Sequence, residues 1–306
     1  MIATVTLNPA LDLFLGTEQL AFDAVLRASH ERRAAGGKGI NVTRVLGQLG
    51  CASRAYVLGG GGIAQELKNL AEADGIDVEL IDSGHGVRIN VHIEEQNGRH
   101  LKVNMAGEAV GAAAVGAVIA ALEKQEDVST LVLAGSLPPG VGLHAYSRLI
   151  TWAKERGVDA ALDTSGPALA AGAAVKPAIL KVNRREFADL VDCGADEEAL
   201  AAAMCGVRED GIGIVCVTHS ENGALLADAT GVWSARAPER SSRRAVGAGD
   251  SFLAGLLDAR RSGKTGAALL AWAIATGTAW ALAEGRGIKR ATVEDLAGRC
   301  AVSQLS

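Results

Sequence analysis

Short, almost wholly apolar runs recur along the chain and alternate with amphipathic stretches, which restricts the fold more than any other feature. Residues 130–134 (Thr-Leu-Val-Leu-Ala), 160–163, 178–181 and 214–218 read as strands, and residues 144–156 read as a helix between two of them. Strands this apolar must be covered on both faces, and strands joined through helices run parallel by right-handed crossovers. The predicted architecture is α/β, with a mostly parallel central sheet. In such sheets ligands bind beyond the carboxyl ends of the strands, where Gly135, Ser136, Asp163, Asn183 and Thr218 fall. Residues 87–105 break the pattern: two alternating runs flank Gln96-Asn97-Gly98, a hairpin signal.

Three segments at these ends carry chemistry. Residues 247–255 read Gly-Ala-Gly-Asp-Ser-Phe-Leu-Ala-Gly and open an apolar, helix-like stretch. Glycines permit a tight turn, and a helix start leaves amides unpaired, so the turn attracts an anion. A carboxylate beside an anion site makes sense if Asp250 removes a proton from a hydroxyl that attacks phosphorus. An ordinary N-cap accounts for this segment equally well. Residues 36–42 (Gly-Gly-Lys-Gly-Ile-Asn-Val) open a second helix but are no Walker A loop, because Gly39 follows Lys38. Gly37, Lys38 and Asn41 suit close approach of a small ligand, and a plain helix start with an exposed lysine fits as well. Asn183 and Glu186 share a helix face and offer the oxygen donors that Mg²⁺ accepts, or else form a capping box.

Composition excludes other classes. With 306 residues, a net charge of −5 and a pI near 5.7, the chain can bury a large core and has no overall positive field for nucleic acid or anionic membrane. Cys51, Cys193, Cys205, Cys216 and Cys300 are scattered without a paired motif and read as reduced thiols of a cytoplasmic protein. Met1 leads directly into a strand-like run without a basic leader, so no signal peptide is expected. Residues 267–283 are uncharged but shorter than the ~20 apolar residues of a membrane span, and read as a buried helix.

Taken in order, residues 6–12 (Thr-Leu-Asn-Pro-Ala-Leu-Asp), 36–42, 88–91 (Arg-Ile-Asn-Val), 135–140 (Gly-Ser-Leu-Pro-Pro-Gly), 163–166 (Asp-Thr-Ser-Gly), 181–186 and 246–251 resemble the ribokinase-like (PfkB) carbohydrate kinases. The likeness runs nearly end to end. The opening segment and Arg-Ile-Asn-Val point to the branch with 1-phosphofructokinase and tagatose-6-phosphate kinase.

The resemblance implies one kinase domain over residues 1–306, a three-layer α/β/α sandwich with a small β lid formed by about 8–16 and 87–105. It implies phosphorylation of a ketohexose monophosphate by ATP with Mg²⁺: fructose 1-phosphate to fructose 1,6-bisphosphate, with tagatose 6-phosphate as the alternative. An inactive sugar-phosphate sensor on the same fold is the reading from a different class. The implied roles are these: Asp250 is the base, and Gly247, Ala248 and Gly249 supply the anion hole. Asp12, Gly37, Asn41 and Asn90 meet the sugar, and Lys38, Arg88 and Ser136 hold its phosphate, with Arg27 a weaker candidate. Lys181, Asn183, Thr218, Gly223 and Ser251 border ATP, as does the buried helix at 267–283, and Asn183 and Glu186 order Mg²⁺ through water. Phosphosugar and ATP are the expected partners, with a homodimer through the lid as a further expectation. Three departures stand out: Val182 where relatives have Pro, a shortened glycine segment at 59–62, and Arg244-Ala245 before the anion loop. Arg244, in a basic run with Arg236, Arg240 and Arg243, belongs to a solvated loop or else supplies charge beside the anion loop that makes K⁺ unnecessary.

Overall fold

The computed structural model describes residues 1–194, 196–239, 246–283 and 287–305. Its ten-stranded sheet is built from β1 (Ile2–Thr6), β4 (Ser53–Gly60), β5 (Val78–Gly86), β8 (Thr130–Ala134), β9 (Asp159–Asp163), β10 (Ile179–Asn183), β11 (Ile214–Thr218), β12 (Ala224–Asp228), β13 (Gly231–Ala235) and β14 (Val302–Leu305). The order is β14-β13-β12-β11-β10-β9-β8-β1-β4-β5, parallel from β11 to β5 and antiparallel at the other edge. The expected α/β fold with a mostly parallel sheet is therefore observed.

Helices cover both faces. On one lie α1 (Lys38–Gln48), α8 (Ala248–Arg261), α9 (Gly266–Leu282) and α10 (Arg290–Arg299); on the other lie α3 (Ala113–Leu122), α4 (Ala145–Glu155), α5 (Gly166–Ala174), α6 (Arg184–Ala188) and α7 (Glu197–Glu209). The pleat divides each strand between the two cores: Leu131 and Leu133 of β8 join the α3/α4 side, while Val132 and Ala134 join the α8/α9 side. Helix α2 (Gly61–Ala73) packs near β4 and β5 around Leu67 and Val57. Helix α9 is apolar all round because it is buried, as its uncharged sequence requires. Among the described residues no helix is long and apolar enough to cross a membrane, and all five cysteines are free.

A second sheet has the order β3-β2-β6-β7, from β2 (Ala10–Thr17), β3 (His30–Gly36), β6 (Arg88–Glu95) and β7 (His100–Asn104). The hairpin at 96–98 and the pairing of residues 10–17 with 88–95 follow the sequence reading. Strand β3 does not: residues 30–33 are polar and exposed and carry no apolar alternation, so the sheet is wider than expected. Its register places Asp12 opposite Asn90 and Ala10 opposite Arg88, at the end that meets the large sheet.

Candidate active site

Asp250 stands in the first turn of α8, below a loop that requires glycine. Gly247, the N-cap, has a φ of 90°, a left-handed conformation that strains other residues. Trp280 of α9 donates to the Val246 carbonyl at 2.8 Å and fixes the approach to the turn. The first amide paired within the helix is that of Ser251, to Gly247 O at 2.8 Å, so the N–H groups of Ala248, Gly249 and Asp250 emerge at the helix mouth. Asp250 is buried, and burial pushes its pKa up. The nearby Asp163 adds to the rise, while Lys38, a hydrogen bond from Asn41 and Lys181 oppose it; the balance leaves Asp250 above the usual carboxylate range.

Beside it sits an ion triad. Asp163, fully buried at the end of β9, accepts from Lys38 Nζ at 2.6 Å through Oδ1 and from Lys181 Nζ at 2.7 Å through Oδ2. Burial opposes the Asp163 charge, but the two ammonium groups outweigh it and hold the carboxyl below its usual range. Burial also works against the Lys38 charge, yet Asp163 and Asp250 raise its pKa overall. Lys181 reaches the anion loop, since a Cβ added to Gly249 would lie 3.2 Å from Lys181 Nζ. Asn41 of α1 completes the group by donating Nδ2 to Asp250 Oδ2 at 2.8 Å.

On the four-stranded sheet, Asp12 Oδ1 accepts from Asn90 Nδ2 at 2.9 Å and lies 3.5 Å from His92 Nε2. Burial raises the Asp12 pKa, but these two neighbours outweigh it and keep the carboxylate ionised below its usual range. Asp12 Oδ2 lies against Gly36, where any Cβ would collide with it, so this glycine makes room for the carboxylate next to Gly37.

Arg88 closes the far end. Its two terminal nitrogens donate to Met105 O at 2.7 Å and Asn8 O at 3.2 Å, and its Nε is buried without a partner among the described residues. Asn8 Nδ2 in turn donates to Ser136 Oγ at 3.2 Å. Arg88, Asn8 and Ser136, with Leu137, Pro138 and Gly140, line a cavity of about 570 Å³.

Across the triad, Asn183 and Glu186 form the capping box of α6: Asn183 Oδ1 accepts from Glu186 N at 2.9 Å, and Glu186 Oε2 from Asn183 N at 2.8 Å. Thr218 ends β11 beside Asn183 and donates to Val182 O at 3.3 Å, and Gly223 lies in the turn before β12. Val182, in place of proline, leaves the β10–β11 register continuous.

Ser251, expected beside the cofactor, is fully buried and donates its hydroxyl to Gly247 O at 2.9 Å, so it braces the turn from within. Arg27 lies exposed between β2 and β3. Arg244 and Ala245 fall outside the described residues. Sequence reasoning gave no role to Asp163, Asn8 or Arg44. The first two stand inside segments already singled out, at strand ends, which is the signal that could have found them. Arg44 lies in the helix after the glycine loop, where nothing in the sequence distinguishes it from a solvated residue.

A family model described as pfkB family carbohydrate kinase matches residues 6–291. The chain belongs to that family. It is similar to 1-phosphofructokinase of Rhodobacter capsulatus, 34% identical over 86% of this chain and 84% of the relative, and to that of Bacillus subtilis, 30% identical over 84% of each. It is also 30% identical to the ATP-dependent 6-phosphofructokinase isozyme 2 of Escherichia coli, over 82% of this chain and 83% of the relative. Among solved structures, Escherichia coli phosphofructokinase-2 in complex with potassium superimposes with a TM-score of 0.92 at 27% identity, covering 97% of this chain and 98% of that one. As a pfkB kinase the chain is a phosphotransferase acting on an alcohol group of a sugar phosphate, with ATP as co-substrate.

Proposed function

We propose that this pfkB kinase phosphorylates fructose 1-phosphate at its 6-hydroxyl to give fructose 1,6-bisphosphate. The observation that carries the reading is the pairing of a buried carboxylate at a helix mouth with an arginine-lined cavity. Asp250 is buried at the amide-lined mouth of α8, and Arg88, held by the Met105 and Asn8 carbonyls, lines a cavity of about 570 Å³ with Ser136. A substrate with a hydroxyl at one end and a phosphate at the other suits that arrangement. The similarity to several 1-phosphofructokinases supports the position of the phosphate.

Asp12 takes sugar hydroxyls through Oδ2, which has no hydrogen-bond partner among the described residues, with Gly37 and Asn90 beside it. Arg88 and Ser136 hold the existing phosphate with charge-assisted hydrogen bonds, and Lys38 adds charge on the path between. Asp250 accepts the proton of the attacking hydroxyl. The amides at Gly247, Ala248 and Gly249, with Lys181, stabilise charge on the transferring phosphoryl group. Asn183, Thr218 and Gly223 border the nucleotide.

The donors on α6 fit Mg²⁺, which needs only one or two protein oxygens beside waters and phosphates. Capping occupies Glu186 Oε2, and Oε1, which has no hydrogen-bond partner among the described residues, is the oxygen to meet a metal-bound water. Mg²⁺ supplies neutralisation of phosphate charge there. Among the described residues no group of three or more His, Cys, Asp and Glu forms a metal cage. The four-stranded sheet acts as a lid of one kinase domain, and the exposed Leu101, Val103 and Met105 on and beside β7 suit its burial in a homodimer.

A second reading is favoured by the E. coli relatives, one of which is a 6-phosphofructokinase and another a structure in complex with fructose 6-phosphate. There the phosphate and the reactive hydroxyl exchange ends, as they also do in tagatose 6-phosphate. Steady-state kinetics on a substrate panel separates these readings. We expect kcat/KM to be highest for fructose 1-phosphate, lower for fructose 6-phosphate and tagatose 6-phosphate, and lowest for fructose. Arg88→Ala should raise KM for fructose 1-phosphate about tenfold to a hundredfold while leaving KM for fructose unchanged, because it removes hydrogen bonds from a charged donor. A preference for the 6-phosphates or for free sugar contradicts the proposal.

A further inference from the structure

Asn41 bears on the base through an amide whose two ends have the same shape and opposite polarity. Pointed one way it donates Nδ2–H to Asp250; turned over, it sets a carbonyl oxygen against a carboxylate. What selects the first arrangement is the guanidinium one turn further along α1. Arg44 lies three residues on, on the same helix face, and donates NH1 to Asn41 Oδ1 at 2.7 Å. Its NH2 donates to Ala35 O at 2.9 Å, at the end of β3, and its Nε reaches Asp74 Oδ2 at 3.3 Å, just past α2. Three elements thus hold Arg44, which is only 12% exposed, so the fork has one orientation. The chain runs from the half-exposed Asp74 through Arg44 and Asn41 to Asp250 Oδ2. Asp250 Oδ1 accepts nothing among the described residues.

We propose that Arg44 is a positioning residue for phosphoryl transfer: by occupying Asn41 Oδ1 it directs Asn41 Nδ2 onto Asp250 Oδ2, and so keeps Asp250 Oδ1 for the acceptor hydroxyl. The inference rests on the reading of Asp250 as the base. The acceptor O–H then breaks toward Oδ1, its oxygen bonds to the γ-phosphorus of ATP while the bond from that phosphorus to the bridging oxygen breaks and ADP leaves with the electron pair, and the proton resides on Asp250 until product leaves. The charges facing Asp250 are Asp163 from β9, which disfavours its ionised form, and Lys38 from α1 and Lys181 from β10, which favour it; Arg44 acts from the same side as Lys38. Loss of the Asn41 hydrogen bond removes one of the supports of the ionised base, so less of it is ionised at a given acidic pH.

The test is the pH dependence of kcat/KM for the phosphosugar in the full-length chain, for wild type, Arg44→Met, Asn41→Leu, the double variant and Asp250→Asn. We expect Arg44→Met to lower kcat about tenfold and to move the acid limb to higher pH, with KM for ATP within about twofold of wild type. The double variant should be no worse than Asn41→Leu by more than about twofold, since both substitutions remove one linked arrangement. Arg44→Lys keeps the charge but cannot serve Ala35 O and Asn41 Oδ1 together. It should show the same losses in smaller degree, and it decides the matter if Arg44→Met does not fold. An unmoved acid limb in the Arg44 variants, or losses that multiply in the double variant, overturns the proposal while an inactive Asp250→Asn leaves the base assignment standing. An active Asp250→Asn removes the base assignment and this inference with it.

Discussion

Asp250→Asn is expected to bind ATP with near wild-type affinity and to turn over its sugar phosphate about 10² to 10⁴ times more slowly, the range typical for loss of a general base. The substitution preserves shape and removes only the proton acceptor. The same change should stabilise the protein at neutral pH. Burial and Asp163 hold the Asp250 pKa above that of the unfolded chain. As pH rises from the ordinary carboxylate range through the raised value, the unfolded state therefore loses its proton first, and stability is lost across that window. An amide has no charge to bury, so its melting temperature should exceed that of wild type at pH 7, and the difference should vanish in acid. A variant that keeps more than about a tenth of wild-type kcat, with chemistry rate-limiting, rules Asp250 out as the base. A variant that melts lower than wild type at pH 7 contradicts the electrostatic account of its burial.

Asp163→Ala should damage stability and turnover together. Removing the shared partner leaves Lys181, which is 6% exposed, with an uncompensated buried charge. Breaking a buried pair in this way typically costs about 3–5 kcal/mol, which urea unfolding measures directly. The pH dependence has the opposite sign to that of Asp250. The Asp163 pKa is depressed, so its contribution is fully present above the unfolded carboxylate pKa and is lost as pH falls through the folded value. The gap between wild type and Asp163→Ala should therefore narrow below the ordinary carboxylate range. Turnover should fall because Lys38 and Lys181 lose the carboxylate that holds both ammonium groups in place. A loss below about 1 kcal/mol at pH 7 would show that the triad is relaxed by water.

The parallel half of the sheet was legible because its strands are buried on both faces and read as unbroken apolar runs, as in residues 130–134 and 214–218. Strand β3 was not, because its residues 30–33 are polar and exposed and carry no apolar alternation to mark their pairing with β2. Asp250, Lys38 and Asn41 could be singled out because glycine turns and helix starts are local signals. Their mutual geometry was not available from sequence. Lys38 and Asp163 are 125 residues apart, Asn41 and Asp250 are 209 apart, and only the crossover topology brings them to one edge. The bracing bond of Ser251 was not legible either, because a helical serine can leave its hydroxyl free or turn it back to the preceding turn, as it does here.

The central claim is transfer of phosphate from ATP to the free primary hydroxyl of a ketohexose monophosphate. It is tested most directly by following ATP, Mg²⁺ and fructose 1-phosphate with the purified protein by ³¹P NMR. The account predicts that the fructose 1-phosphate resonance is replaced by the two resonances of fructose 1,6-bisphosphate as ADP appears in equal amount, and that Asp250→Asn shows neither change over the same interval. A fructose 1-phosphate resonance that persists while ATP stays intact, or while ATP is converted only to ADP and inorganic phosphate, would contradict it.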